Sequence, residues 1–162
     1  MAPPARPQAV LFACGLNTVR SPMAASLFKH LYGSTYVGSA GVQKGEPDPF
    51  AVAVMEEVGQ DIARHKPMTF EEVEDWEGLN FDLIITLSPE AHHKAMELTR
   101  RIAAEVEYWP TADPTGIEGS REQRLDAYRE VRNQLLARIQ ERFGPVDSSD
   151  KQDGPSTRMD RP

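Results

Sequence analysis

The sequence predicts an α/β domain built on a four-stranded parallel sheet with helices packed against it. Three observations carry that prediction. Short strand-like runs at Ala9–Ala13, Thr35–Ala40, Phe81–Leu87 and Val106–Trp109 alternate with longer segments whose apolar residues recur every three or four positions. Strands separated by helices need crossover connections, which return the chain parallel to the strand it left. Composition fits as well: 162 residues with 40% hydrophobic content form one domain of ordinary size with a sizeable core.

Each element has its own local signal. Ala9–Ala13 (Ala-Val-Leu-Phe-Ala) reads as a buried strand, and Ser21-Pro22 as the cap and first residue of a helix with Met23, Leu27 and Leu31 on one face and Gly33 past its end. Thr35–Ala40 is the second strand. Asp48-Pro49 opens a second helix with Phe50, Val54 and Val58 as its stripe and Gly59 as its stop. Thr69 and Glu72 form a capping box for a short helix carrying Phe70, Val73 and Trp76, aromatics read here as packing residues. Phe81–Leu87 is almost continuously apolar, as a strand covered on both faces is, and so belongs at the sheet centre. Ser88-Pro89 caps a helix with Ala91, Ala95, Leu98 and Ile102 on one side, and Val106–Trp109 is the fourth strand. Ser120 and Gln123 box the start of the last helix, which carries Leu125, Tyr128, Leu135, Ile139 and Phe143 and stops at Gly144-Pro145. The domain therefore spans 9–144, between a disordered lead (1–8) and a disordered tail (145–162).

Charge and cysteine usage narrow the function. A net charge of −7 disfavours nucleic-acid or anionic-membrane partners, and no apolar run approaches transmembrane length. The single cysteine excludes an internal disulfide and an all-cysteine metal site, and it suits a reducing cytoplasmic compartment. His92 and His93 are adjacent on a helix and face different ways, which reads as a solvated face rather than a metal site. The sequence thus calls for neither metal nor cofactor.

The chemistry concentrates in Cys14-Gly15-Leu16-Asn17-Thr18-Val19-Arg20-Ser21-Pro22, which joins the first strand to the first helix. A tight loop in that position aims backbone N–H groups and the positive end of the helix dipole at one point, which suits a phosphate-sized dianion. Arg20 adds a planar fork able to grip two oxygens. Cys14 stands on the rim, where a helix terminus and a guanidinium favour the nucleophilic thiolate. The Gly-Lys-Ser/Thr ending of a nucleotide-binding P-loop is missing. In a parallel sheet, partners for this loop come from the other loops at the carboxyl edge, here 38–48, 87–90 and 110–119.

Cysteine, five residues, arginine and serine, placed between strand and helix, resembles the phosphate loop of the low-molecular-weight protein tyrosine phosphatases, of bacterial type. The resemblance runs over about Val10 to Phe143 and implies a three-layer sandwich with the flavodoxin-like strand order 2-1-3-4. It further implies a phosphatase acting on phosphorylated protein or a small phosphate ester, inhibited by phosphate and similar oxyanions. Cys14 is then the nucleophile, with Gly15, Leu16, Asn17, Thr18, Val19, Arg20 and Ser21 around the phosphoryl group. Ser21 donates to the thiolate, and Asn17 and Ser39, the latter within Ser39-Ala40-Gly41, brace the loop. His65-Lys66 is similar to a His-Arg stretch at the same place in that family. Two Asp-Pro pairs compete for general acid. Asp48 is committed as a helix cap, whereas Asp113 precedes Thr115–Gly119, which does not read as helix and leaves the carboxylate free. Asp113 also holds the place of the family's acidic Asp-Pro.

Three departures from the family pattern matter. Gly15-Leu16 inverts the usual order, so Leu16 either takes a left-handed backbone at ~1–2 kcal/mol or the loop has another conformation. Val19 replaces a frequent second cysteine, and Thr115-Gly116 replaces the aromatics that follow Asp-Pro in animal members. A related group of the same fold reduces arsenate through a relay of three cysteines, closed to a chain with one. Another hydrolyses phosphoarginine and carries threonine where Thr18 stands. A catalytically silent phosphate-binding module is the alternative from outside enzymology.

Overall fold

The alternation of side chains along the first strand decides the layering. In the computed structural model, which describes residues 6–146, β1 (Ala9–Cys14) sends Val10, Phe12 and Cys14 to one face and Leu11 and Ala13 to the other, all buried. With β2 (Tyr36–Gly41), β3 (Leu83–Thr86) and β4 (Glu105–Tyr108), it forms a four-stranded sheet, order β2-β1-β3-β4, in which every pair is parallel. α1 (Arg20–Leu31), α2 (Pro49–Glu56) and α5 (Arg121–Phe143) cover the Phe12 face; α3 (Phe70–Glu77) and α4 (Pro89–Leu98) cover the Leu11 face. This is the three-layer α/β fold with the 2-1-3-4 order.

Aromatic packing closes the Phe12 layer. Phe28 lies 5.8 Å from Phe12 and 5.0 Å from both Tyr32 and Phe143, and the Tyr32 hydroxyl donates to the Gly144 carbonyl at 2.6 Å. The ends of α1 and α5 are thereby tied together. Higher on α5, the buried Arg132 donates to the Val54 carbonyl at 2.7 Å and to Glu57 at 2.9 Å. Arg129 holds the same carboxylate, and together the arginines pull Glu57 down to about 2.

The caps fall where the sequence places them, with Asp48, Thr69, Ser88 and Ser120 each accepting from backbone N–H groups of its helix. The start of α1 differs. Its first residue is Arg20 and its cap Val19, so Ser21 is not a cap but a helical residue turned into the core, and Pro22 is tolerated because first-turn N–H groups have no helical acceptor. Val58 lies past the end of α2 and is exposed, Ala51, Val54 and Met55 being the buried set. Trp76 is 82% exposed, because α3 buries only Phe70 and Val73. His92 is not simply solvated: it stacks on Tyr108 at 4.6 Å and hydrogen-bonds Thr86 at 3.1 Å. Of the expected disordered lead, residues 1–5 lie outside the described residues, while Gln8 donates its N–H to Asp82 at 3.0 Å and Arg6 lies over the Tyr32 ring. All but the first two residues of the expected tail also lie outside the described residues. Among the described residues no helix is long and apolar enough to cross a membrane.

Truncating Phe28 to alanine removes the hub of this layer. The expected loss is about 3–5 kcal/mol, read as a lower urea midpoint with unchanged denaturant slope.

Candidate active site

The segment between β1 and α1 is shaped by where its carbonyls go. Cys14, Gly15 and Leu16 accept from the N–H groups of Val42, Gln43 and Gly45 at 3.2, 3.0 and 3.0 Å. A trans peptide points its N–H opposite its C=O, so the N–H groups of Gly15, Leu16 and Asn17 face away from the 42–45 segment. Among the described residues none of the N–H groups of residues 15–20 donates to a protein acceptor. Gly41 makes the approach possible: a Cβ there would stand 2.4 Å from the Gln43 carbonyl oxygen and 2.9 Å from the Asn17 nitrogen.

The left-handed residue of the loop is Asn17, with φ of 58°, not Leu16. The expected penalty on leucine is therefore not incurred, since asparagine visits this region at much lower cost. Asn17 is fully buried, and its side-chain amide and its carbonyl all have partners. Its Oδ1 accepts from the Met68 N–H at 2.9 Å, which orients the amide, and its Nδ2 donates to Ser21 Oγ at 2.8 Å. His65 Nε2 lies 3.0 Å from the Asn17 carbonyl and 3.1 Å from Oδ1. Two acceptors facing one ring nitrogen assign the hydrogen to Nε2. Burial holds His65 below its ordinary value, which favours that neutral ring.

Ser21 passes this order to the sulfur. Its Oγ accepts from Asn17, leaving its one proton for Cys14 Sγ at 3.0 Å, the other acceptor being the Ala40 carbonyl at 3.5 Å. Arg20 is fixed by carbonyls from the next two loops, Thr111 at 2.9 Å and Leu87 at 3.5 Å, and its other terminal nitrogen lies 3.8 Å from Asp113 Oδ2. All three partner loops anticipated at the carboxyl edge of the sheet thus contribute.

The two aspartates are less unlike than the sequence implies. Asp48 Oδ1 accepts from the N–H groups of Phe50 and Ala51, and Oδ2 takes the Tyr128 hydroxyl at 2.7 Å. Asp113 is not free: its Oδ1 accepts from the Thr115 N–H at 3.0 Å and the Thr115 hydroxyl at 2.8 Å, capping a 3₁₀ turn at Pro114–Gly116. Threonine after Asp-Pro makes that turn, and a single turn has no periodicity for a sequence reading to detect. The Oδ2 atom remains toward Arg20, on a side chain 51% exposed. Thr18 faces Gly45, and Val19 is buried beneath the loop. Ser39 is placed differently from expectation. Its hydroxyl makes no hydrogen bond to the loop among the described residues and lines a cleft with Lys29, His65 and Lys66. Backbone of Gly41–Gly45, together with His65 and Met68, does the bracing. No cluster of three or more His, Cys, Asp or Glu among the described residues could hold a metal ion.

The family model described as "low molecular weight phosphotyrosine protein phosphatase" matches residues 9–150. The chain belongs to that family. Among curated relatives, the glutaredoxin arsenate reductase of Synechocystis sp. is 33% identical over 81% of this chain and 92% of its own. Among solved structures, the low molecular weight protein tyrosine phosphatase of T. tengcongensis is 27% identical, with a TM-score of 0.67 over 83% of this chain and 96% of that one. An arsenate reductase solved in a phosphate-binding state is 30% identical, with a TM-score of 0.63 over 83% and 95%.

For this member of the family the His65 geometry has a measurable consequence. Its folded-state proton affinity is depressed below the ordinary 6.5, so on acidification the unfolded chain binds a proton first. The stability from a neutral His65 is complete above 6.5 and is lost as pH falls through the folded value. His65→Gln keeps a donor without titrating. The gap in urea midpoint between wild type and variant should shrink from pH 7.5 toward pH 5, and a constant gap would refute the buried neutral ring.

Proposed function

We propose that the protein is a phosphatase of protein phosphotyrosine, working through a phosphocysteine intermediate in a reducing cytoplasm. The observation that supports it most is Cys14 Sγ 3.0 Å from a hydroxyl whose own acceptor site is occupied, at the edge of a loop with unspent N–H groups and a carbonyl-anchored arginine. Cys14 attacks phosphorus, the S–P bond forms as the bond to the leaving oxygen breaks, and Asp113 gives that oxygen its proton. Arg20 and the loop N–H groups hold the equatorial oxygens as charge develops. Asp113, now ionised, takes a proton from water, which cleaves the S–P bond and releases inorganic phosphate. No cofactor enters this sequence. Placing the left-handed turn on Asn17 also removes the strain on Leu16 that favoured a silent phosphate-binding module.

Asp113→Asn tests the acid. A positioned acid contributes roughly 10²- to 10⁴-fold, so the variant should lose most with poorly activated esters and little with a nitrophenolate leaving group. Asp48→Asn should mainly weaken the α2 cap. A reversed pattern would transfer the role to Asp48. Cys14→Ser should abolish turnover and still bind phosphate or vanadate.

Thr18 supports phosphoarginine as an alternative substrate, since a hydroxyl near the attacked phosphorus replaces apolar bulk. The ratio of phosphoarginine to phosphotyrosine turnover in Thr18→Ile decides it. The names of the curated relatives favour a second reading, arsenate reduction. With one cysteine in the sequence, every further thiol must come from another molecule. Arsenite formation from arsenate with added glutathione and glutaredoxin, lost in Cys14→Ser, would support that reading; no arsenite would remove it.

A further inference from the structure

The rim beside Asp113 carries a feature that phosphoryl transfer does not use. Phe50, second residue of α2, is partly buried, and two guanidiniums lie over its ring, Arg124 at 4.5 Å and Arg121 at 5.3 Å from the centroid. Tyr128 meets the same ring edge-on at 5.4 Å and places its hydroxyl on Asp48. Both arginines stand at the start of α5, which packs against the Pro114–Gly116 turn capped by Asp113, and this sets them beside the Asp113–Arg20 pair.

These two cations are held at a cost to the fold. Both stand in the first turns of α5, where the helix dipole disfavours positive charge. The acids next to them, Glu122 and Asp126, are taken by Arg129. Among the described residues neither Arg121 nor Arg124 has an ion-pair partner. Ring stacking keeps them in place while their N–H groups stay available to a carboxylate. On a chain of net charge −7 they are a local positive exception that offsets the repulsion felt by an acidic substrate.

We propose that Arg121 and Arg124 read an acidic side chain flanking the phosphorylated residue of a protein substrate, a specificity that rests on the phosphatase reading above. Two phosphotyrosine peptides differing only in Glu or Gln beside the phosphorylated residue test it. Wild type should favour the Glu peptide in kcat/KM by roughly 3- to 10-fold at low salt, mainly through KM, and less at high salt. The Arg121→Gln/Arg124→Gln double variant should bring the ratio to about one. Equal turnover of the two peptides by wild type overturns the inference. No turnover of either peptide or of nitrophenyl phosphate overturns the phosphatase reading instead, and the affinities of Cys14→Ser for the two peptides then decide the charge preference. Should the double variant not fold, the wild-type ratio and its salt dependence decide alone.

Discussion

The architecture of the site hangs on one buried amide. Asn17 holds the only positive φ of any non-glycine residue among the described residues, and its side chain joins four groups from three parts of the chain: Met68, His65, Ser21 and, through Ser21, the sulfur. A buried amide left unsatisfied costs about 1–3 kcal/mol, so its hydrogen bonds and the loop geometry stand or fall together. The turn at Asn17 is what allows the carbonyls before it to pair with 42–45 and the N–H groups to face the other way. Backbone pairing shapes the loop, and side chains lock it.

The loop is accordingly held from the carboxyl edge of the sheet. Cys14 ends a central strand, its carbonyl bonds the segment after β2, and Arg20 reaches the ends of β3 and β4 through Leu87 and Thr111. A parallel sheet brings all four carboxyl ends to one edge, so a single short loop can be tied to each of them. Ser39, two residues short of that edge, makes no hydrogen bond to the loop among the described residues, and its expected role passes to main-chain groups of the segment after β2.

What could be read from the residues follows the same division. The Asp48-Pro49 and Ser88-Pro89 caps, two capping boxes and the nearly continuous apolar run at Phe81–Leu87 are local codes, and they place the elements, the cysteine loop and Asp113 in relation to the sheet edge. His65 carried no local code for its role, because its partner lies 48 positions away. Leu16 and Asn17 were confused because left-handed geometry depends on which carbonyls a neighbouring segment captures. Trp76 fits the spacing of α3, but burial there stops at Phe70 and Val73, which spacing alone does not reveal. The turn at Asp113 was missed for want of length.

The two tryptophans sit at opposite extremes, and that makes the protein its own optical instrument. Trp76 is 82% exposed, whereas Trp109 is 3% exposed, with Arg138 over its ring, two residues before the carbonyl that anchors Arg20. Emission from the first reports bulk water whatever the site contains. The Thr111 hydroxyl donates to the Trp109 carbonyl at 2.8 Å, so emission from the second is expected to change when Thr111 shifts with the arginine, and acrylamide quenching should separate the two components without a label.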